Sequence, residues 1–369
     1  MHAWLRQRRG PARTSLELAT SYPTPSLPSA SSAEVLIRVS HVALQFSSET
    51  LFKALPVMPF TAPSIPELEF TGTVVAAGSA ASSDVREVGT RVVAYQNILD
   101  MVVFGRGALV EYVQILSSQA SRLPEGSDMV AMGGVLGSGS TALKMARTGG
   151  VKEGHRVLVN GASGSVGKVL MQVCKMRGAK VVGVASGGNE EMVRGLGADE
   201  VCFLLLAALR IDLCEVLEEG GELTFVNSSS TTASTTRCRP TWRRSTRRSL
   251  DFVLDCVGLQ ALYVNSPAYL KPDGMVINIG CMEGLGATLK NWIFNTWWPT
   301  WLGGVPRRYV MFSTPPSKDD AVVLVKLVEE GKLKISVDSV FSMEDAIRAY
   351  ERLATMRARG RVIVKVERD

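Results

Sequence analysis

Apolar and polar positions divide the chain into three stretches of different character. Up to about residue 125 the apolar residues come in short runs rich in β-branched side chains: VLIRVSHVAL (35–44), FTGTVVAAGS (70–79), GTRVVAY (89–95) and ALVEYVQIL (108–116). Such runs predict strands, and the 70–79 run, with Gly72 and Gly78, predicts a pair. Pro and Ser clusters at 21–32 and 56–66 predict loops. This opening is read as all-β. Its first segment, MHAWLRQRRGPARTSLEL, predicts a short strand turning at Gly10-Pro11. The segment is Arg-rich with no acid before Glu17, as a mitochondrial presequence would also be. The strand-and-turn reading is preferred.

The pattern changes after Pro124. GSGSTALKMARTGG (137–150) predicts a helix between glycines. A strand (RVLVN), a glycine turn, a helix running to Arg177 and a second strand (KVVGVAS) follow. That helix carries Val166, Val169, Leu170, Val173 and Cys174 on one face, at i, i+3, i+4, i+7 and i+8. A helix at 190–196 and strands at 198–203, 251–256 and 274–280 complete an alternation that predicts a parallel, doubly wound sheet covered on both faces. The tail predicts a helix at 319–330, a strand pair within LKISVDSVFS, a helix at 343–356 and a last strand, RVIVKV. The fold class is therefore α/β.

The glycine turn carries the chemistry. Asn160-Gly161-Ala162-Ser163-Gly164-Ser165-Val166-Gly167 joins a strand end to a helix start. Gly161 permits the tight turn, Gly164 lets a pyrophosphate approach the backbone, and Gly167 lets the helix pack on the sheet. Phosphates then sit on free N–H groups at the positive helix end. Ala162 stands where the usual fingerprint has glycine. NAD sites place an acid about 20 residues on, at the second strand's end. Here that end reads Ala185-Ser186-Gly187-Gly188-Asn189, with no acid before Glu190. An acid would repel a 2′-phosphate, so NADPH is the expected cofactor, with Ser186, Asn189 and Arg194 as candidate phosphate partners.

The run from Val157 to Asp199, with GLGADEV and DFVLDCVG, resembles the medium-chain dehydrogenase/reductase superfamily, and within it the zinc-free quinone oxidoreductase and enoyl reductase branch. IPELEFTGTVVAAGS (65–79), GSGSTAL and RARGRVIVKV stand where that family has similar segments. The resemblance implies a GroES-like β domain from both chain ends (1–135 and 315–369) and a Rossmann nucleotide domain between (136–314). It also implies hydride transfer from a bound nicotinamide, with Thr141 lining the ring and Cys256, Val257, Gly258, Ile279 and Gly280 holding the cofactor. Zinc-dependent members carry a Cys soon after the segment equivalent to VLIRVSHVAL, where this chain has Gln45-Phe46-Ser47, and a four-Cys loop near 95–115, where it has none. No metal is expected. Without one, the protein must position an acceptor and stabilise charge on its oxygen. An enone or quinone suits this, and Gln45 and Tyr95 are the candidate groups, Tyr95 as proton donor. Gln45 as loop filler and Tyr95 as half-buried core remain open. The rival functions are a trans-acting enoyl reductase of a polyketide pathway and a catalytically silent NADPH-binding protein.

Composition adds limits. At 369 residues, 46% hydrophobic and 21% charged, the chain fits two globular domains. Its net charge of +6 is local: 237–248 holds six arginines and no acid, and without them the net charge is zero. No nucleic-acid partner is expected. Six scattered cysteines and three histidines fit neither a disulfide framework nor a zinc cage, so a cytoplasmic location is expected over a mitochondrial one. No apolar run predicts membrane insertion. Residues 203–250 are atypical. They read as a solvated, partly disordered insertion, a basic tether for an acidic partner, or unspliced intron or frame-shifted coding sequence in the gene model, the last preferred because family-like sequence resumes at Asp251. A helix is expected near 210–219 and irregular chain at 226–249. Trp292, Trp297, Trp298 and Trp301 suggest an apolar substrate wall or a homodimer interface over a membrane-surface anchor.

Overall fold

The computed structural model describes residues 1–57, 63–203, 249–312 and 315–367. The expected helix near 210–219 lies outside them, and so does the irregular stretch apart from Ser249. The chain divides into two compact units, one of Met1–Gly150, Ala162–Met176 and Ser313–Asp369, the other of Val151–Gly161 and Arg177–Phe312.

In the first unit β1 (Ala3–Arg6) and β2 (Leu16–Ala19) pair antiparallel, joined through Gly10-Pro11 and a single turn, α1 (Ala12–Ser15). Then come β3 (Glu34–Ala43), α2 (Phe46–Ala54), β4 (Glu69–Ala77), β5 (Arg91–Tyr95), α3 (Ile98–Phe104), β6 (Tyr112–Leu116), β7 (Ala120–Arg122), α4 (Met129–Met132) and α5 (Val135–Thr148). The apolar pattern up to residue 125 predicts an all-β stretch. Helices α2 and α3 correct it: each is short, and α2 buries only Phe52 among its large apolar residues. The run at 70–79 forms one strand, β4, rather than a pair. It lies flat between β3 and β5 with no turn at Gly72, which pairs with both Val39 and Val92.

The chain then enters the second unit with β8 (Arg156–Asn160), all five residues buried, and continues into α6 (Ser165–Met176). The second unit goes on with β9 (Lys180–Ala185), α7 (Glu190–Gly195), β10 (Glu200–Phe203), β11 (Leu250–Asp255), α8 (Gln260–Val264), β12 (Leu270–Asn278), α9 (Leu285–Trp297) and β13 (Arg308–Met311). Its strands form a parallel sheet in the order β10-β9-β8-β11-β12-β13. Leu158, Val182, Val253 and Val276 pack in its core, as the continuous apolar runs of a doubly covered sheet require. The strand order reverses between β8 and β11, and in such sheets ligands bind outside the carboxyl ends at that point.

The tail belongs to the first unit: α10 (Lys318–Glu329), β14 (Val337–Ser342), α11 (Ala346–Ala354) and β15 (Arg361–Lys365). LKISVDSVFS supplies the single strand β14 and not a pair. It runs parallel to β15, which completes the sheet β14-β15-β3-β4-β5-β7, with β6 also on β3. Phe52, Phe70, Ile37, Leu109 and Tyr350 fill the core. Helices α5 and α6 pack on one another, and α5 also packs on α10. They therefore group with the first unit, whereas the boundaries at 135/136 and 314/315 had placed them with the nucleotide domain.

Candidate active site

At the carboxyl ends of β8, β11 and β12 three loops are tied together. Asn160 ends β8, and its Nδ2 donates to Oδ1 of Asp255 at 2.8 Å. The same oxygen accepts from the N–H of Val257 (2.9 Å) and Gly258 (3.0 Å), while Oδ2 accepts from Leu259 N–H (2.9 Å). The chain from Cys256 to Leu259 thus wraps one buried carboxylate. Burial pushes the Asp255 pKa up, against the pull of these donors. Ile279 N–H donates to the Asp255 carbonyl and Gly280 N–H to the Asn278 side chain at 2.8 Å. Asn160, Gly161, Cys256, Val257, Gly258, Ile279 and Gly280, the residues expected to hold the cofactor, are therefore brought together at one end of the sheet. Gly161 has φ +75°, and a β-carbon there would stand 2.8 Å from Val257 Cγ2. The turn needs glycine twice over, for conformation and for space.

Along the adjoining turn Ala162 is fully buried, whereas Ser163, Gly164, Ser165 and Val166 are partly or wholly open to solvent. Gly167 packs inward. The first turn of α6 leaves backbone N–H groups without intrahelical partners. At the end of β9, Asn189 Nδ2 donates to Ser186 Oγ at 2.7 Å. The Arg194 guanidinium pairs with Glu190, one turn back on α7, at 2.9 Å. Both groups are exposed, and such a pair contributes only about 0.3–0.5 kcal/mol.

In the first unit, strand register gathers a second group. Ala43 of β3 stands opposite Glu69 of β4, and Glu69 opposite Tyr95 of β5. Gln45 follows two residues after Ala43 and precedes α2. Its amide stands beside the Tyr95 hydroxyl. Gln45 Nε2 is shut off from solvent with no hydrogen-bond partner among the described residues. Burial, with Glu69 nearby, holds the Tyr95 pKa well above its usual value, so the phenol stays protonated. Thr141 on α5 donates its hydroxyl to Gly137 O at 2.7 Å. One turn earlier on that helix, a β-carbon on Gly137 would lie 2.8 Å from Glu69 Oε2 and 3.3 Å from Gln45 Nε2. Gln45, Tyr95 and the start of α5 thus meet at one place. Tyr95 also lines a cavity of about 150 Å³ with Asn97, Gln119, Ser121, Leu136 and Lys318.

Sequence reasoning missed the acids beneath this group. Glu69 is fully buried and forms an ion pair with Arg361 of β15. Burial raises its pKa, and Arg361 and the N–H groups of Gly137 and Leu136 pull it down. Glu67, also fully buried, accepts from Tyr350, Ser48 and the Gln45 backbone. Two acids spaced by one residue at a strand start, PELEF, were the available signal.

No three His, Cys, Asp or Glu side chains among the described residues are grouped to hold a metal ion. No helix among them is long and apolar enough to cross a membrane. Trp292, Trp297, Trp298 and Trp301, on α9 and the turn after it, are 40, 76, 48 and 81% exposed.

A β unit closed by both chain ends and a parallel sheet with a glycine turn define a two-unit nucleotide-dependent oxidoreductase fold. Residues 31–125 match the alcohol dehydrogenase GroES-like domain family, and residues 221–364 match the zinc-binding dehydrogenase family. The second match begins ahead of Asp251, inside the atypical segment. The chain is 40% identical to the medium chain reductase pydE of an Acremonium species, with 99% of each chain covered. It is 30% identical to the trans-enoyl reductase poxH of Penicillium oxalicum, covering 100% of this chain and 98% of that protein. It superposes on the Escherichia coli quinone oxidoreductase complexed with NADPH with a TM-score of 0.72 at 20% identity, covering 99% and 100% of the two chains. The chain belongs to the medium-chain dehydrogenase/reductase superfamily and is an oxidoreductase.

Proposed function

We propose that this protein is an NADPH-dependent reductase of activated C=C bonds, acting on a 2-enoyl thioester or a related enone. The observation that carries the reading is the Gln45 amide, buried beside the protonated Tyr95 hydroxyl with its Nε2 lacking a hydrogen-bond partner among the described residues. A buried donor without a partner is costly, and a carbonyl oxygen of the substrate or a ribose hydroxyl would satisfy it. Bound NADPH supplies a hydride. Gln45 orients the acceptor and offers a hydrogen bond to its oxygen as charge develops there. Tyr95 keeps a proton at its hydroxyl for return to the reduced product. The cavity beside Tyr95 has room for a short acyl or ring portion. Asn160, Gly161 and the loop around Asp255 hold the cofactor's middle, and Val257, Gly258, Ile279 and Gly280 its nicotinamide end, with Thr141 against the ring. Ser163 to Val166 receive the pyrophosphate, and Ser186, Asn189 and Arg194 the 2′-phosphate.

The full-length relatives named as reductases, one of them a trans-enoyl reductase, favour the enoyl substrate. The likeness to a quinone oxidoreductase keeps quinones as the second reading. NADPH consumption is to be measured with 2-enoyl N-acetylcysteamine thioesters, enones and quinones. Turnover of the thioesters is expected to dominate, and turnover of quinones alone would replace the first reading with the second. Fluorescence titration is expected to show tighter binding of NADPH than of NADH. Equal affinities would remove the assignment to Ser186, Asn189 and Arg194.

A further inference from the structure

Glu67 is out of place by two measures. Its backbone has φ +67°, a left-handed conformation that a β-carbon resists and that glycine adopts freely. Its side chain has no exposure to solvent, although a buried carboxylate loses its hydration. The carboxylate's hydrogen bonds, with the charge of Arg361 nearby, offset these costs. Oε1 accepts from the Tyr350 hydroxyl at 2.6 Å. Oε2 accepts from Ser48 Oγ and from Gln45 N–H, each at 3.1 Å. All three groups donate to it, so the ionised form satisfies every one of them, whereas a proton on Oε2 would face the Gln45 N–H and one on Oε1 would require the Tyr350 hydroxyl to turn and accept.

Two of these donors, Gln45 and Ser48, bracket the entry to α2, and Ser48 N–H bonds back to Gln45 O at 3.1 Å. The third, Tyr350, lies on α11 and packs on Phe52 of α2 with ring centroids 5.9 Å apart. One carboxylate therefore fixes where β3 ends, where α2 begins and how α2 seats on α11. The residue at that junction is Gln45.

We propose that Glu67 is a positioning residue that, as a carboxylate, holds Gln45 and the first turn of α2 in the geometry the reaction uses. The proposal rests on the reading that Gln45 contacts the substrate or the nicotinamide ribose. Other titratable or charged groups in this neighbourhood are Arg361 of β15, Glu69 of β4, Tyr95 of β5, Glu49 of α2 and Tyr350 itself. Burial raises the Glu67 pKa to about 7, against the lowering effects of Tyr350, Gln45, Ser48 and Arg361. The positioning carboxylate is thus gained as pH rises through neutrality.

The test compares Glu67→Gln, Glu67→Gly and Gln45→Ala in the full chain, with NADPH and a 2-enoyl N-acetylcysteamine thioester from pH 6 to 9. Both Glu67 variants are expected to lose about ten- to a hundredfold in kcat/KM, mostly in kcat, because a small displacement of a reacting group costs that much. The rise in wild-type kcat through about pH 7 should be absent in both. Thermal melting gives a readout independent of turnover. The folded-state pKa lies above the unfolded value of 4.5. The native protein then binds the proton more tightly, and the melting temperature of wild type relative to Glu67→Gln should fall as pH rises from 4.5 to about 7 and level off above it. If Glu67→Gln does not fold, Glu67→Gly, relieved of the left-handed β-carbon, carries the comparison. Wild-type kcat/KM and pH profile in a Glu67 variant, with activity lost in Gln45→Ala, would overturn the proposal and leave the reading of Gln45 standing. Unchanged turnover in Gln45→Ala would overturn that reading and the proposal with it.

Discussion

Replacing Arg361 with alanine is expected to lower stability by about 3–5 kcal/mol, because it leaves a buried charge without its partner. Glu69 is fully buried, and the Arg361 side chain is 8% exposed. Without the guanidinium, only the N–H groups of Gly137 and Leu136 face the carboxylate, and its pKa, already raised by burial, goes higher. The sign of the pH dependence follows. An acid whose folded pKa lies above its unfolded value costs stability once pH exceeds the folded pKa, and the cost disappears below the unfolded one. The loss in Arg361→Ala should be largest in alkaline solution and shrink as acid protonates Glu69. Urea midpoints at pH 5 and pH 8 measure it. A loss equal at both values would mean that only packing was removed. The double substitution Glu69→Gln with Arg361→Met should recover part of the stability, since apolar replacement of a buried pair is often neutral.

A second large effect is expected at the end of β12. A β-carbon on Gly280 would lie 2.0 Å from Val257 C and 2.3 Å from Gly258 N and Val257 O. These are backbone atoms, held by the bonds to Asp255, so they do not move aside cheaply. Gly280→Ala should cost about 1–3 kcal/mol as overpacking and weaken NADPH binding at least about tenfold, since misplaced strand ends no longer fit the ligand that binds at them. Gly286, in α9, meets nothing within 4 Å. Gly286→Ala should leave NADPH affinity unchanged and add up to about 1 kcal/mol of stability through helix propensity. Calorimetric titration and melting curves on the two variants separate these outcomes. Equal NADPH affinity in both would detach Gly280 from the cofactor.

Strands β8 to β12 of the parallel sheet were legible because each is a short apolar run, and α6 because its apolar residues repeat at helical spacing, whereas β13, α8 and α9 carry no such local pattern and were not read. The glycine turn was legible because strand, turn and helix are consecutive in sequence. The acids beneath Gln45 were not. Glu69 finds Arg361 across 292 residues and Glu67 finds Tyr350 across 283, so no local pattern records either pairing. Helix α2 was missed for a related reason. Its place is set by Phe52 entering the core and by the carboxylate of Glu67, both tertiary contacts that override a weak local period. The strand pair expected at 70–79 failed because Gly72 is a paired residue inside β4 and Gly78 lies just past its end, so neither glycine divides the run.

Hydride transfer to carbon is the centre of the account. Purified protein incubated with NADPH dideuterated at nicotinamide C4 and a 2-enoyl N-acetylcysteamine thioester should yield the saturated thioester with one deuterium on C3, and solvent hydrogen on C2, by mass spectrometry and NMR. Unconsumed NADPH, or a saturated product without deuterium at C3, would contradict it.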